Sequence, residues 1–524
     1  MRNGSLLLIL HAHLPFVRHP EHEEFLEESW LFEAITESYI PLIKMMQQLV
    51  TEGVPFRIAM SITPPLCAML QDELLRERYV QHLDRSIALA QRELERTQAD
   101  LELHQLAHFY CELLTDTRQR FEGWNRDLLC QFRELRDAGV LEIAASAATH
   151  GLLPLLGQSP QAVRAQVMLG CDVYRETFEA EPAGFWLPEC AFAPGLEDVL
   201  QAANIRWFAV DAHALLFAKP RPRAAMFAPC FTPAGPAAFA RDPASSRQVW
   251  SAESGYPGDP AYRDFYRDVG FDAPPQHAFA SSRDKTPRFT GLKYHRITGG
   301  DGPKQGYDRA RAEEVVQAHA EHFVASREHQ LNDLRSCVRD PVIMMPFDAE
   351  LFGHWWHEGP RFLELLIRKV AAAPDRMSFV TPSDYLVSHA RLEVTMPAAS
   401  SWGENGYWEV WLNEHNAWIY PRLHSAARTL TELARAHAAS PTPQVERVLR
   451  QLARELLLAQ SSDWAFLMKT GTAREYASRR VDDHMTRFEH LAEQLKSGAI
   501  DQGFLCECEA RDNLFPHVDW RRYV

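Results

Sequence analysis

The sequence lacks a basic charge balance, a CxxC pair, a glycine-rich phosphate loop and any long apolar run, and each absence removes a class of function. A formal charge of −15 argues against nucleic acid, because phosphate binding needs a cationic surface, but leaves a neutral ligand such as a sugar open. Nine cysteines, odd in number and scattered, fit thiols in a reducing cytoplasm better than a disulfide framework; the close pair Cys506 and Cys508 reads as structural. The start MRNGSLLLIL carries an apolar run of five residues, too short for a signal-peptide core, and no later run is long enough to span a bilayer. Nothing supports a nucleotide cofactor.

What is present is a series of short apolar runs, each ending in polar or aromatic residues. They are LLLIL before HAHLPF, FRIAMSIT, VLEIAASA before THGLLP, GFW before LPE, IRWFAVDAHA, GLKYHRITGG, VIMMPFDAELFGHWW and SFVTPSDYL. Amphipathic helical patterns lie between most of them, which predicts parallel βα units. Seven or so units with polar residues just after the strands predict an α/β chain built on a barrel; an open doubly wound sheet is the alternative, which no glycine-rich nucleotide loop supports. One connection is too long for a single crossover, which predicts a helical insertion over 71–138. The Pro- and Ala-rich stretch 219–243 reads as a long irregular loop, a type that often serves as a lid. After Tyr385 the patterns become helical. The expected division is therefore a catalytic barrel at 1–70 and 139–394, the insertion, and an all-α domain over 395–524.

Three places carry candidate chemistry. His11 and His13 follow the first strand and point the same way, for metal ligation or for hydrogen bonding to a polar ligand. Asp348 closes a strongly apolar strand, where an idle carboxylate is costly; Glu350, His354, Trp355, Trp356, His357 and Glu358 follow. Glu189 in GFWLPECAF lies among apolar residues, either as a carboxylate at a helix start or as a catalyst. Hydrolysis of an acetal needs two carboxyl groups, one ionised and one protonated, with environments that push their pKa values apart. Aromatic residues suited to stacking on pyranose faces surround the pair, and Trp402, Trp408, Trp411 and Trp418 cluster within SWGENGYWEVWLNEHNAW.

The segments HAHLPF, ATHGLLPLL, GFWLPECAF, MMPFDAELFGHWW and SSDWAF resemble, in order, the five sequence motifs of glycoside hydrolase family 57. GYPGDPAYRDFYRD and KYHRITG are similar to that family's α-1,4-glucan branching enzymes. The resemblance implies an incomplete (β/α)7 TIM-like barrel with a helical insertion and a helical C-terminal domain. It also implies a retaining mechanism on an α-glucan, with no cofactor and no catalytic metal. Glu189 matches the family nucleophile and Asp348 the general acid/base. His11, His13 and His150 match substrate-binding histidines; Trp30, Trp402, Trp411 and Asp463 match groove positions; Arg263 and Phe271 fall where the family has an arginine and an aromatic. Members with strong branching activity are similar in carrying a loop tyrosine after the nucleophile strand, but the stretch 217–250 holds no Tyr. Water then competes better for the glycosyl-enzyme.

Branching is thus the leading expectation, and an α-amylase-like hydrolase with the same residues is the near alternative. A metal-dependent amidohydrolase or deacetylase using His11, His13, His150 and Asp348, with His295 as a further ligand, comes from another class. A glycan-binding protein with a degenerate barrel is disfavoured by the presence of both carboxylates.

Overall fold

The computed structural model describes residues 4–251, 254–280, 285–299 and 303–524; Met1 to Asn3 of the N-terminal stretch lie outside them. Nine strands occur among the described residues: β1 (Ser5–Ala12), β2 (Ile58–Ile62), β3 (Leu141–Ser146), β4 (Gly184–Trp186), β5 (Trp207–Val210), β6 (Cys230–Phe231), β7 (Ala237–Ala240), β8 (Val342–Asp348) and β9 (Ser378–Phe379). They form one sheet in the order β6-β7-β5-β4-β3-β2-β1-β8, with β9 also paired to β1. All pairs are parallel except β6 with β7. At the far seam a single parallel bridge joins Arg241 to Met344, and the Asp242 N–H donates to the Met344 carbonyl at 2.8 Å. Seven parallel strands therefore curl into an incomplete (β/α)7 barrel whose last seam is one bridge rather than a ladder.

Side-chain alternation sorts the strands into two faces. Leu7 and Ile9 of β1 face a lumen shared with Ala59, Ala144, Trp186, Ala209, Phe239 and Met344. Leu6, Leu8 and Leu10 face the surrounding helices. Small residues on several strands leave the lumen room for the Trp186 and Trp207 indoles. The same alternation sends His11, Ser61 and Asp348 inward at the C-terminal strand ends.

Two strand assignments differ from the sequence reading. The described part of GLKYHRITGG, 291–299, forms no strand; it contributes isolated bridges at His295 and Arg296. The barrel strand lies instead inside 219–243, as Ala-Ala-Phe-Ala of β7, which carries little β-propensity of its own and is held by full burial between β5 and the β8 seam. Nor is 219–243 a free lid: Lys219 bridges Met396, and Phe231 exchanges backbone hydrogen bonds of 2.9 Å with Glu393 and Thr395.

Between β2 and β3 run helices Glu73–Arg96, Leu101–Gly123 and Leu128–Asp137, capped by Asp72, Asp100 and Asp127, each accepting from the backbone N–H three residues on. This D-x-x pattern satisfies an otherwise free N–H at each start. The last helices, from Ile419–His437 to Gln502–Arg511, form a bundle around Pro443–Ala459, whose Val448, Leu452 and Leu456 are buried. The stretch 395–418 preceding them holds no α-helix. One continuous apolar cluster joins Leu10 of β1, Leu83 of the first inserted helix and Leu456 of the bundle, while the barrel lumen forms a second core. No helix among the described residues is long and apolar enough to cross a membrane.

Candidate active site

The site gathers where the strands end. In the turn after β4, Glu189 (φ 62°) and Cys190 (φ 50°) are both left-handed, a conformation that costs a non-glycine residue of order 1–2 kcal/mol and persists only where the surroundings impose it. The clamp is visible. Phe192 and Ser400 exchange backbone hydrogen bonds of 2.8 and 3.0 Å, and the Trp402 N–H donates to the Glu189 carbonyl at 3.0 Å. This fixes the Glu189 side chain so that Oε2 accepts from Trp402 Nε1 at 2.8 Å and Oε1 accepts from Ser462 Oγ at 2.8 Å. Burial raises the Glu189 pKa above the ordinary carboxylate value, and the two donors act against that rise.

Asp348 ends β8 in register with His11 of β1. Burial, then the negative charges of Glu350, Glu189 and Asp463, push its carboxyl well above the usual range. No described residue donates to it, so nothing offsets the rise. Of the two carboxyls, one has two donors to hold its ionised form and the other has none. That is the asymmetry an acid and a nucleophile require.

Three histidines complete the floor. His13 stacks on His150 at 3.8 Å, and His11 stacks on Trp186 at 4.5 Å. His13 Nδ1 meets Thr63 Oγ1 at 2.8 Å and its Nε2 meets Asp463 Oδ2 at 2.9 Å. Burial lowers the His13 pKa, but the carboxylates of Asp463, Glu189 and Glu350 together outweigh it and the net shift is upward; Asp463 is held down in return. His11 and His150 are driven well below the imidazole value, first by burial and then by the neighbouring histidines, although His150 Nδ1 lies 3.8 Å from Glu189 Oε1.

Of the sequence-predicted residues, Glu189, Asp348, His11, His13, His150, Trp402 and Asp463 come together here. Trp30 lies one ring further out, edge-on to Tyr476 at 5.9 Å, and Tyr476 in turn meets Trp464. Trp411 is 2% exposed, and its ring lies directly beneath Gly403, so it supports the Trp402 turn from below. Arg263 is 5% exposed; its guanidinium donates to Tyr110 at 3.2 Å and approaches Glu37 at 3.9 Å. Phe271 is 49% exposed and packs edge-on against Phe289. None of the contacts of Arg263 or Phe271 reaches the two carboxylates. His295, the extra ligand of the metal-dependent alternative, stands 3.6 Å from Asp272, apart from the other histidines.

Sequence reasoning missed three supporting residues, Ser462, Thr63 and Tyr39, and named a fourth, Glu350, without a role. Ser462 and Thr63 contact the nucleophile and His13. Glu350 is buried, accepting from Tyr39 Oη at 2.5 Å and from the His13 N–H at 3.1 Å. Tyr39 sits on a π-helical bulge, Ile35–Tyr39, inside a longer helix; such bulges recur at functional sites. A Ser-Ser-Asp before a helix reads as an ordinary cap, and nothing in ITESYI signals a bulge. Glu350 alone was legible, as a second carboxylate two residues after Asp348.

Residues 7–273 match the family model described as glycosyl hydrolase family 57. The chain belongs to glycoside hydrolase family 57. Residues 422–523 match a second model, 1,4-alpha-glucan branching enzyme, C-terminal. The chain is 34% identical over 562 residues to a 1,4-alpha-glucan branching enzyme of Thermococcus kodakarensis, covering 99% of this chain and 78% of that relative. Among solved structures it is similar to the novel alpha-amylase AmyC from Thermotoga maritima, at 42% identity and a TM-score of 0.94, covering 100% of this chain and 99% of that one. It is also similar to a family 57 branching enzyme from Pyrococcus horikoshii, at 33% identity and a TM-score of 0.90, covering 100% and 97%.

Proposed function

We propose that this family 57 member is an α-glucan-acting retaining enzyme and, specifically, a 1,4-α-glucan branching enzyme. The observation that carries the mechanism is the asymmetry of the two half-buried carboxyls: Glu189 held by Trp402 and Ser462, Asp348 held by no donor among the described residues. Glu189 attacks the anomeric carbon of an α-1,4-linked glucose while Asp348 protonates the departing glucan oxygen, leaving a glycosyl ester on Glu189 and an ionised Asp348. Asp348 then takes the proton of an acceptor 6-hydroxyl, whose oxygen displaces Glu189 and forms the α-1,6 branch. The His13–Asp463 pair presents fixed charge beside the reactive sugar, with His11 and His150 as neutral hydrogen-bonding neighbours. Trp30, Trp402, Trp411, Arg263 and Phe271 are assigned to glucan binding, the buried Trp411 and Arg263 acting through the residues they support.

The division into a barrel at 1–70 and 139–394, a helical insertion at 71–138 and a C-terminal part at 395–524 belongs to the same reading. So does a reducing, cytoplasmic setting, supported by nine free cysteines.

A second reading, α-glucan hydrolysis by the same residues, is favoured by two observations: the 42% identity to a structure named an alpha-amylase and the absence of tyrosine from 217–250. Incubation with amylose, counting new α-1,6 linkages against new reducing ends, separates the two. Branching gives linkages without a matching rise in reducing ends, and hydrolysis gives reducing ends alone. Replacement of Glu189 by Gln should lower either activity by at least ~10⁴-fold; near-normal turnover would overturn the assignment of the nucleophile.

A further inference from the structure

Ser462 stands between the Glu189 carboxylate and the histidine floor. Its Oγ lies 2.8 Å from Glu189 Oε1 and 2.9 Å from His150 Nδ1. His150 Nε2 lies 3.0 Å from His11 Nε2, and His11 Nδ1 is buried with no partner among the described residues. Four groups from four parts of the chain thus form one hydrogen-bonded line: the turn after β4, the bundle, the turn after β3, and β1.

A line of hydrogen bonds has a direction, and here the two ends set it. An ionised carboxylate only accepts, so the single Ser462 proton goes to Glu189. The Ser462 oxygen then has only lone pairs for His150, whose Nδ1 must carry the proton. Burial holds both imidazoles neutral, so His150 Nε2 is bare and accepts from a proton on His11 Nε2. That leaves the lone pair of His11 Nδ1 as the group without a partner. The opposite direction would leave Glu189 Oε1 facing a bare serine oxygen at 2.8 Å and bury an unpaired N–H on His11. An unpaired buried donor is the rarer and more costly arrangement.

We propose that Ser462 is a positioning residue for the nucleophile: it commits its proton to Glu189 and so fixes His150 as the Nδ1–H tautomer and His11 as the Nε2–H tautomer. This rests on the reading of Glu189 as the nucleophile. The charge on Glu189 thereby fixes the protons of two imidazoles and leaves the His11 Nδ1 lone pair as their one uncommitted group. When that charge is lost to the glycosyl ester, the order that keeps the tautomers weakens. Other titratable groups also face Glu189, namely His13 from the turn after β1, Asp348 from β8 and Asp463 from the bundle, so the test must isolate Ser462.

Neutron diffraction from deuterium-exchanged crystals of the full chain at neutral pH reads the direction itself. Deuterons are expected on Ser462 Oγ toward Glu189, on His150 Nδ1 and on His11 Nε2. A deuteron on His150 Nε2 or His11 Nδ1 overturns the proposal. Kinetically, Ser462→Ala removes a donor to the ionised carboxylate but keeps the 3.1 Å backbone bond from Ser462 N–H to the His150 carbonyl. The acidic limb of kcat/KM on amylose should then move up by about one pH unit, with kcat lowered roughly tenfold or more. Ser462→Thr, which keeps a hydroxyl, should return the limb toward its original place. A folded Ser462→Ala enzyme with an unmoved limb and undiminished kcat also overturns it. If Glu189→Gln keeps its turnover, the nucleophile reading falls, and the neutron map still decides the direction of the chain by itself.

Discussion

The indole Nε1–H of Trp402 donates to Oε2 of Glu189 at 2.8 Å, and the Trp402 backbone N–H donates to the Glu189 carbonyl at 3.0 Å. Two residues 213 positions apart thus hold each other twice, once through the backbone and once through the side chain. The backbone bond holds Glu189 in its left-handed conformation, and the side-chain bond uses that conformation to favour the ionised carboxylate. The turn after β4 and the irregular stretch before the bundle therefore act as one element.

Trp402→Phe keeps the ring and removes the donor. Burial raises the Glu189 pKa and the indole opposes the rise, so losing it moves the pKa higher. The nucleophile must be ionised, and the acidic limb of kcat/KM should shift to higher pH by about one unit, with kcat lowered roughly tenfold. A pH–rate profile on amylose checks both.

Glu350→Gln acts on the other limb. Asp348 must be protonated to act as acid, so activity is lost as pH rises through its pKa. Burial raises that pKa first and the Glu350 charge raises it further. Removing the charge lowers it, and the alkaline limb should move to lower pH while the acidic limb stays nearly in place. Tyr39 can still donate to the Gln oxygen, so the thermal midpoint should change little.

How much of this was legible in sequence follows from where each residue's partners come from. Glu189, Asp348 and His11 close apolar strands, and a polar residue at such a place is visible in one dimension. Ser462 and Tyr39 are ordinary in their local sequence and acquire a role only through partners 273 and 311 residues away. The strand Ala237–Ala240 was hidden because alanine carries no periodicity signal, and its burial is a property of the closed barrel. GLKYHRITGG was misleading in the opposite sense: its apolar residues pack under the insertion, where Tyr110 donates to the Lys293 carbonyl at 2.8 Å, with no ladder beside them.

Asp348→Asn should stabilise the fold, increasingly so toward alkaline pH. A carboxyl whose folded pKa is raised contributes stability below its unfolded pKa, near 3.8, and loses it as pH rises through the folded value. At pH 8 the wild-type protein must keep an unpaired, half-buried carboxyl protonated or bear its charge, and Asn does neither. A gain of roughly 1–2 kcal/mol in unfolding free energy together with near-complete loss of activity is expected. Denaturant melts at pH 6 and pH 8 test the pH dependence.

Asp463→Asn breaks the pair that holds His13 protonated. Burial alone lowers the His13 pKa, and Asp463 is the first of the carboxylates that raise it, ahead of Glu189 and Glu350, so its loss should lower the His13 pKa and favour the neutral imidazole. Breaking a buried pair costs about 3–5 kcal/mol when an uncompensated charge remains; here His13 sheds its proton, and the loss should fall below that range. Activity should drop at least tenfold with a large share in kcat, measured beside the thermal midpoint of the variant.

Gly353→Ala tests whether the frame behind the site transmits to it. Gly353 has φ 115°, and a Cβ there would lie 1.8 Å from the Glu37 carbonyl oxygen. That carbonyl belongs to the π-helical bulge that also presents Ser38 to the His354 N–H at 3.2 Å and Tyr39 to Glu350. The methyl can be accommodated only by moving the bulge away, because backbone on both sides leaves no flexible end to yield. A destabilisation of about 3 kcal/mol or more is expected. Activity should fall beyond what unfolding explains, since a displaced Tyr39 releases Glu350 from its 2.5 Å bond. Gly195→Ala is the control: its φ of 102° carries comparable backbone strain, but nothing lies within 4 Å of the added Cβ. It should cost roughly 1–2 kcal/mol and leave kcat unchanged. Equal losses in the two variants would show that backbone strain alone, and not the displacement of the bulge, is what Gly353 avoids.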